Sequence, residues 1–81
     1  MPLYMIERRF AEKVDLTSDR IKFIEEINVD VGVKWITTLL TPDGQTSFCL
    51  YEAPSPEAIR EAARRSDIPA GAIIEVHRAY G

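Results

Sequence analysis

Hydrophobic and polar positions set the frame of the chain. From Leu3 to Phe10 the side chains divide into two alternating sets, Leu3, Met5, Glu7, Arg9 and Tyr4, Ile6, Arg8, Phe10. That period of two predicts a first β-strand. Ala11 to Leu16 reads as a connection. Thr17 or Ser18 then offers a hydroxyl to the free N–H groups of a helix start. Ile24, Ile27 and Val31 recur at spacings of three and four, while Glu25, Glu26 and Asp30 lie away from that stripe. This is the pattern of an amphipathic helix, and Gly32 can end it in the left-handed conformation. Val33 to Thr41 is rich in β-branched residues and predicts a second strand whose faces stay ambiguous. Val33, Trp35 and Leu39 compete there with Ile36 and Leu40. Pro42-Asp43-Gly44-Gln45 has the chemistry of a hairpin turn. It leads into Thr46 to Pro54, a central strand in which Phe48 and Leu50 alternate with Cys49 and Tyr51. Ser55-Pro56-Glu57 supplies a cap, a proline at the first helical position and an acid at the positive end of the helix dipole. Ile59, Ala62 and Ala63 form a narrow stripe, and Asp67 to Gly71 stops this second helix. Ile73 to Tyr80 is the last predicted strand.

The order β-α-β-β-α-β predicts a ferredoxin-like α+β fold spanning residues 1–81 as one domain. Two helices cover one face of a four-stranded antiparallel sheet, with the first and third strands central and the fourth beside the first. The other face then needs solvent, a ligand or a second subunit. If Phe48, Leu50, Ile74 and Val76 face the helices, parity puts Cys49, Tyr51, Glu75 and His77 on the open face. Glu7 joins them if Ile6 points inward.

Composition narrows the partners. The 81 residues carry 10 basic and 13 acidic side chains, a net charge of −3, which argues against a nucleic-acid partner. No apolar run approaches the roughly 20 residues of a membrane span. One cysteine allows no internal disulfide, and Met1 to Ile6 meets Glu7 without the layout of a secretory signal. Both features point to the cytoplasm. Arg60, Arg64 and Arg65 follow Glu57 and Glu61 at helical spacing and read as an ion-paired surface.

The expected cluster of Glu7, Cys49, Glu75 and His77 admits several chemistries. Imidazole, thiolate and carboxylate together suit nickel, copper or zinc. Alternatively, His77 hydrogen-bonds Glu75 or Glu7 at a dimer interface and Cys49 packs as a small hydrophobe. A Cys49–His77 nucleophile and base lacks a visible orienting group or oxyanion loop. A fourth possibility is a barrel cavity lined by Met5, Trp35, Cys49 and Tyr51. There a small organic molecule would bind, or be turned over with Glu75 or His77 as general base.

The segments I-E-R-R-F (Ile6 to Phe10), G-V-K-W (Gly32 to Trp35), T-P-D-G-Q-T-S-F-C-L-Y-E-A-P-S-P-E-A-I-R-E-A-A-R-R (Thr41 to Arg65) and I-P-A-G-A-I-I-E-V (Ile68 to Val76) resemble a known family. It is that of the small bacterial nickel-binding proteins, long catalogued as a domain of unknown function. The resemblance implies a ferredoxin-like fold paired into a dimeric α/β barrel. It also implies a homodimer whose open sheet faces meet, with nickel or another divalent metal held within or near the enclosed space. Cys49, Tyr51, Glu52 and Glu7 fall within the matching motifs. His77 lies just past the I-E-V segment and enters on strand parity alone. The expected function is non-enzymatic metal binding, with Cys49 and His77 as leading ligands, Glu7 or Glu75 assisting, and Trp35 and Tyr51 beside the bound group.

Overall fold

A computed structural model describes residues 1–11 and 17–80. Six elements follow in the expected order: β1 (Leu3–Arg9), α1 (Ser18–Val31), β2 (Lys34–Leu40), β3 (Thr46–Glu52), α2 (Pro56–Ser66) and β4 (Ile73–Val76). The connection expected over Ala11 to Leu16 lies, for residues 12–16, outside the described residues. The sheet is antiparallel in the order β2-β3-β1-β4, so β1 and β3 are central. This is the ferredoxin-like arrangement.

Local chemistry explains the boundaries. Thr17 caps α1 by accepting from the Arg20 N–H at 3.2 Å, and Gly32 ends it at φ 77°. Ser55 caps α2 through the Ala58 N–H at 3.3 Å, with a proline in the first turn. The β2–β3 turn is braced by Asp43, which accepts from the Thr41 hydroxyl at 2.7 Å and the Gln45 N–H at 2.9 Å. Those two bonds hold the Asp43 carboxyl below its ordinary pKa, the Thr41 bond most. Before β4, the Gly71 N–H donates to the Glu7 carbonyl at 3.0 Å. A Cβ at position 71 would lie 2.7 Å from that oxygen, so the chain needs glycine there.

The core lies between the sheet and the helices. Ile6 and Ile59 are its most deeply buried large side chains, and Tyr4, Ile27, Val33, Cys49, Tyr51 and Ala62 surround them. β4 ends at Val76 rather than Tyr80, leaving His77 to Tyr80 outside the sheet.

Candidate functional site

The register decides which functional side chains can meet. Ile6 pairs with Cys49, Tyr4 with Tyr51, and Arg8 with Ser47. Directly opposed residues share a face, and all six of these are buried under the helices. The face assignment expected from the sequence is therefore inverted. Cys49 and Tyr51 point inward, while Phe48, Leu50, Ile74 and Val76 lie on the open face with Leu3, Met5 and Glu7. Packing supplies the reason. The small side chains of Ser47, Cys49 and Ala53 let the helices approach the sheet, with Ile59, Ala62 and Ala63 against them. Phe48 and Ile74 stay 37% and 57% exposed.

β2 reverses phase as well. Its register shifts between Trp35 and Thr37, a bulge that passes over Ile36. Trp35, Thr38 and Leu40 consequently all border the helix side, and Leu39 is exposed on the other. Trp35 and Tyr51 stack there with ring centroids 6.4 Å apart.

The four expected ligands do not converge. Glu7 is on the open face and bonds the exposed Arg9 at 3.4 Å. Cys49 is 4% exposed in the core. Glu75 lies opposite Tyr4 on the edge strand, so it stands on the helix side of the sheet rather than on the open face, and His77 follows the strand's end. Of the four, only His77 and Glu75 meet, with Nε2 and Oε2 3.6 Å apart in solvent. Position 6 lies beside 73, so at about 3.3 Å per strand residue Glu7 is roughly 15 Å along the sheet from His77. Among the described residues, no group of three or more His, Cys, Asp or Glu side chains could hold a metal ion.

The enclosed space also lies on the helix side. A cavity of about 40 Å³ is bounded by Arg8, Ile24, Trp35, Thr38, Cys49 and Tyr51, with Phe10, Arg20 and Leu40 toward the outside. It is an intrachain feature, not the open-face barrel cavity expected from Met5, Trp35, Cys49 and Tyr51. Trp35 Nε1 donates to Thr38 Oγ1 at 2.7 Å, and that hydroxyl donates to Cys49 Sγ at 3.3 Å. Arg8 is 5% exposed. One of its nitrogens donates to the Pro69 carbonyl at 3.1 Å, another reaches the Tyr51 hydroxyl at 3.5 Å, and its guanidinium sits 5.8 Å from the Tyr51 ring centre. Burial raises the Tyr51 pKa above its ordinary value, with Arg8 pulling against it, so the phenol stays protonated at neutral pH.

Sequence reasoning placed Arg8 on one face with Tyr4 and Ile6 but assigned it no role. Asn28, also buried, was missed altogether. The signal for Arg8 was its parity with Ile6. For Asn28 it was adjacency to Ile27 on the buried stripe of α1.

No curated protein matches the chain. Its structure is similar to the crystal structure of SCO4226 from Streptomyces coelicolor A3(2), with a TM-score of 0.73 and 26% identity, covering 96% of this chain and 99% of that one. Residues 4–76 match the family described as "Nickel responsive protein SCO4226-like", and with nearly its whole length inside that match the chain belongs to this family.

Proposed function

We propose that the chain is a non-catalytic nickel-binding protein acting as a homodimer in the cytoplasm, with His77 and Glu75 of each copy contributing to the metal site. Family membership is the observation that carries this reading. Imidazole and carboxylate are suitable donors for nickel or a related divalent ion. The His77–Glu75 pair is exposed and close enough for both side chains to turn toward one ion. Two donors leave the rest of the coordination shell open to further donors at this sheet edge. Dimerisation is supported by Leu39, Phe48 and Ile74, three large apolar side chains exposed on the open sheet face. Glu7 and Cys49 stand too far from the pair to share its ion. No nucleic acid or membrane partner enters this reading, and no helix among the described residues is long and apolar enough to cross a membrane.

Calorimetric titration of nickel into metal-free protein tests it. Wild type and Cys49→Ser should bind alike, whereas His77→Ala should lose most of the heat and Glu75→Gln part of it. Sedimentation should give a particle of twice 9.2 kDa. Binding that survives His77→Ala but disappears with Cys49→Ser, or a monomer at all concentrations, would overturn the reading.

A further inference from the structure

The interior polar groups have no part in a metal site at the sheet edge, yet they are costly to bury without purpose. Arg8 carries a charge into the core, and among the described residues no carboxylate pairs with it. Among the described residues the buried guanidinium is held by one carbonyl, one long contact to a phenol and a ring face, which compensate it incompletely. Asn28 is 3% exposed, and its Nδ2, directed toward the Tyr51 hydroxyl, completes no hydrogen bond among the described residues. Native proteins rarely leave such a donor unpaired, and each case calls for a cause.

Both groups border the same space. A second, smaller cavity of about 10 Å³ is walled by Asn28, Arg8, Tyr51 and Ile59. It shares Arg8, Ile24, Tyr51 and Ile68 with the 40 Å³ cavity. The smaller space presents N–H donors from Arg8 and Asn28 and the Tyr51 hydroxyl beside Ile24, Ile59 and Ile68. The larger space sets the same Arg8 and Tyr51 beside Ile24, Trp35 and Ile68. A few donors set among hydrocarbon match a carboxylate bearing a short apolar body. A phosphate would set its remaining oxygens against that hydrocarbon. At about 10–15 Å³ for each water-sized group, the larger space holds about three such groups. That is the size of acetate or propionate.

We propose that this intrachain cavity binds a short-chain monocarboxylate, its oxygens received by the Arg8 fork and the Asn28 amide and its carbon body against Trp35 and Ile24. The guanidinium suits a carboxylate through N–H···O bonds, and the ligand would supply a counter-charge that no described residue provides. The site is independent of the nickel reading, because it uses neither His77 nor Glu75 and lies wholly within one chain.

The experiment is a titration of metal-free full-length protein in chelator, followed by amide NMR, with sodium acetate, propionate, phosphate and chloride at matched ionic strength. Acetate or propionate should give saturable shifts centred on Arg8, Ser47, Cys49 and Tyr51. Asn28→Leu and Arg8→Met should each weaken that binding by about tenfold or more, from the loss of a hydrogen bond to a charged group. Each variant is read only from a dispersed spectrum that shows it folded, and Arg8→Met, which removes the buried charge, should refold readily. Absence of saturable shifts in wild type, equal shifts with phosphate or chloride, or undiminished carboxylate binding by folded Asn28→Leu would each overturn the proposal.

Discussion

The two faces of the sheet contrast in a way that hydropathy does not announce. The helix-covered face buries Arg8, Ser47, Cys49 and Tyr51, while the uncovered face exposes Phe48, Leu39 and Ile74. Volume and hydrogen-bonding capacity explain the difference. Under the helices, small side chains set the separation, and longer polar ones are tolerated where Pro69, Thr38 and Tyr51 receive their donors. The open face instead leaves its large apolar residues exposed, with Glu7 and Arg9 bonded to each other among them. Burial here follows fit as much as hydrophobicity.

The strongest test of the contrast is a pair of truncations. Ile6→Ala removes a side chain with no exposure and should cost about 2 to 5 kcal/mol in urea unfolding, at every protein concentration. Phe48→Ser should instead act through association. Its melting temperature should stay constant with protein concentration where that of the wild type rises, as the proposed dimer requires. Comparable losses from both in a demonstrably monomeric protein would mean that the faces are not distinct.

Reagent access to Cys49 sharpens the assignment next. At 4% exposure, its thiol should react with a disulfide reagent at least about a hundredfold more slowly in native protein than in urea, because reaction waits on opening. Prompt native labelling would return Cys49 to the open face and revive its candidacy as a metal ligand.

That residue also marks where sequence stops being legible. Caps, turns and stripes were readable because each rests on neighbouring residues: Ser55 with Pro56, Asp43 with Gly44, Ile24 with Ile27. Strand order followed from the β-α-β-β-α-β sequence of elements. The phase of β3 was not readable, since Phe48–Leu50 and Cys49–Tyr51 both look apolar. Only the pairing of Cys49 with Ile6 decides between them, and pairing is a long-range property. The bulge at Ile36 similarly reverses β2 without a glycine or proline to signal it. The phase of β3 takes Cys49 to the helix side, and the β1–β4 register sets Glu7 far along the sheet from His77, so the four residues do not come together within one chain. His77 and Glu75 do meet, being two residues apart.

Alkaline pH probes the covered face through Tyr51. Its pKa is raised above 10.0 in the folded protein, chiefly by burial. The folded state therefore holds this proton more tightly than the unfolded chain. The resulting stability is complete below about pH 10 and is lost as pH rises through the folded value. Urea midpoints should fall between pH 9 and pH 11, and Tyr51→Phe should flatten that fall. An unchanged slope in Tyr51→Phe would show that the phenol is not held in the core.

The smallest effect belongs to the outer surface of α2, which serves as a reference for both faces. Glu61 receives Arg64 at 2.7 Å and Arg65 at 3.0 Å, and hydrogen bonds from Arg64 and then Arg65 hold its pKa down to about 2. A depressed carboxyl contributes stability above its unfolded value of 4.5 that is lost as pH falls toward 2. The pairs are solvent-exposed, so screening and side-chain entropy remove most of the gain. Glu61→Gln should therefore shift the urea midpoint slightly at low salt and leave it unchanged in 1 M sodium chloride. A large, salt-resistant loss would mean that this helix surface is covered in the working protein, and the search for a partner would then extend beyond the open sheet.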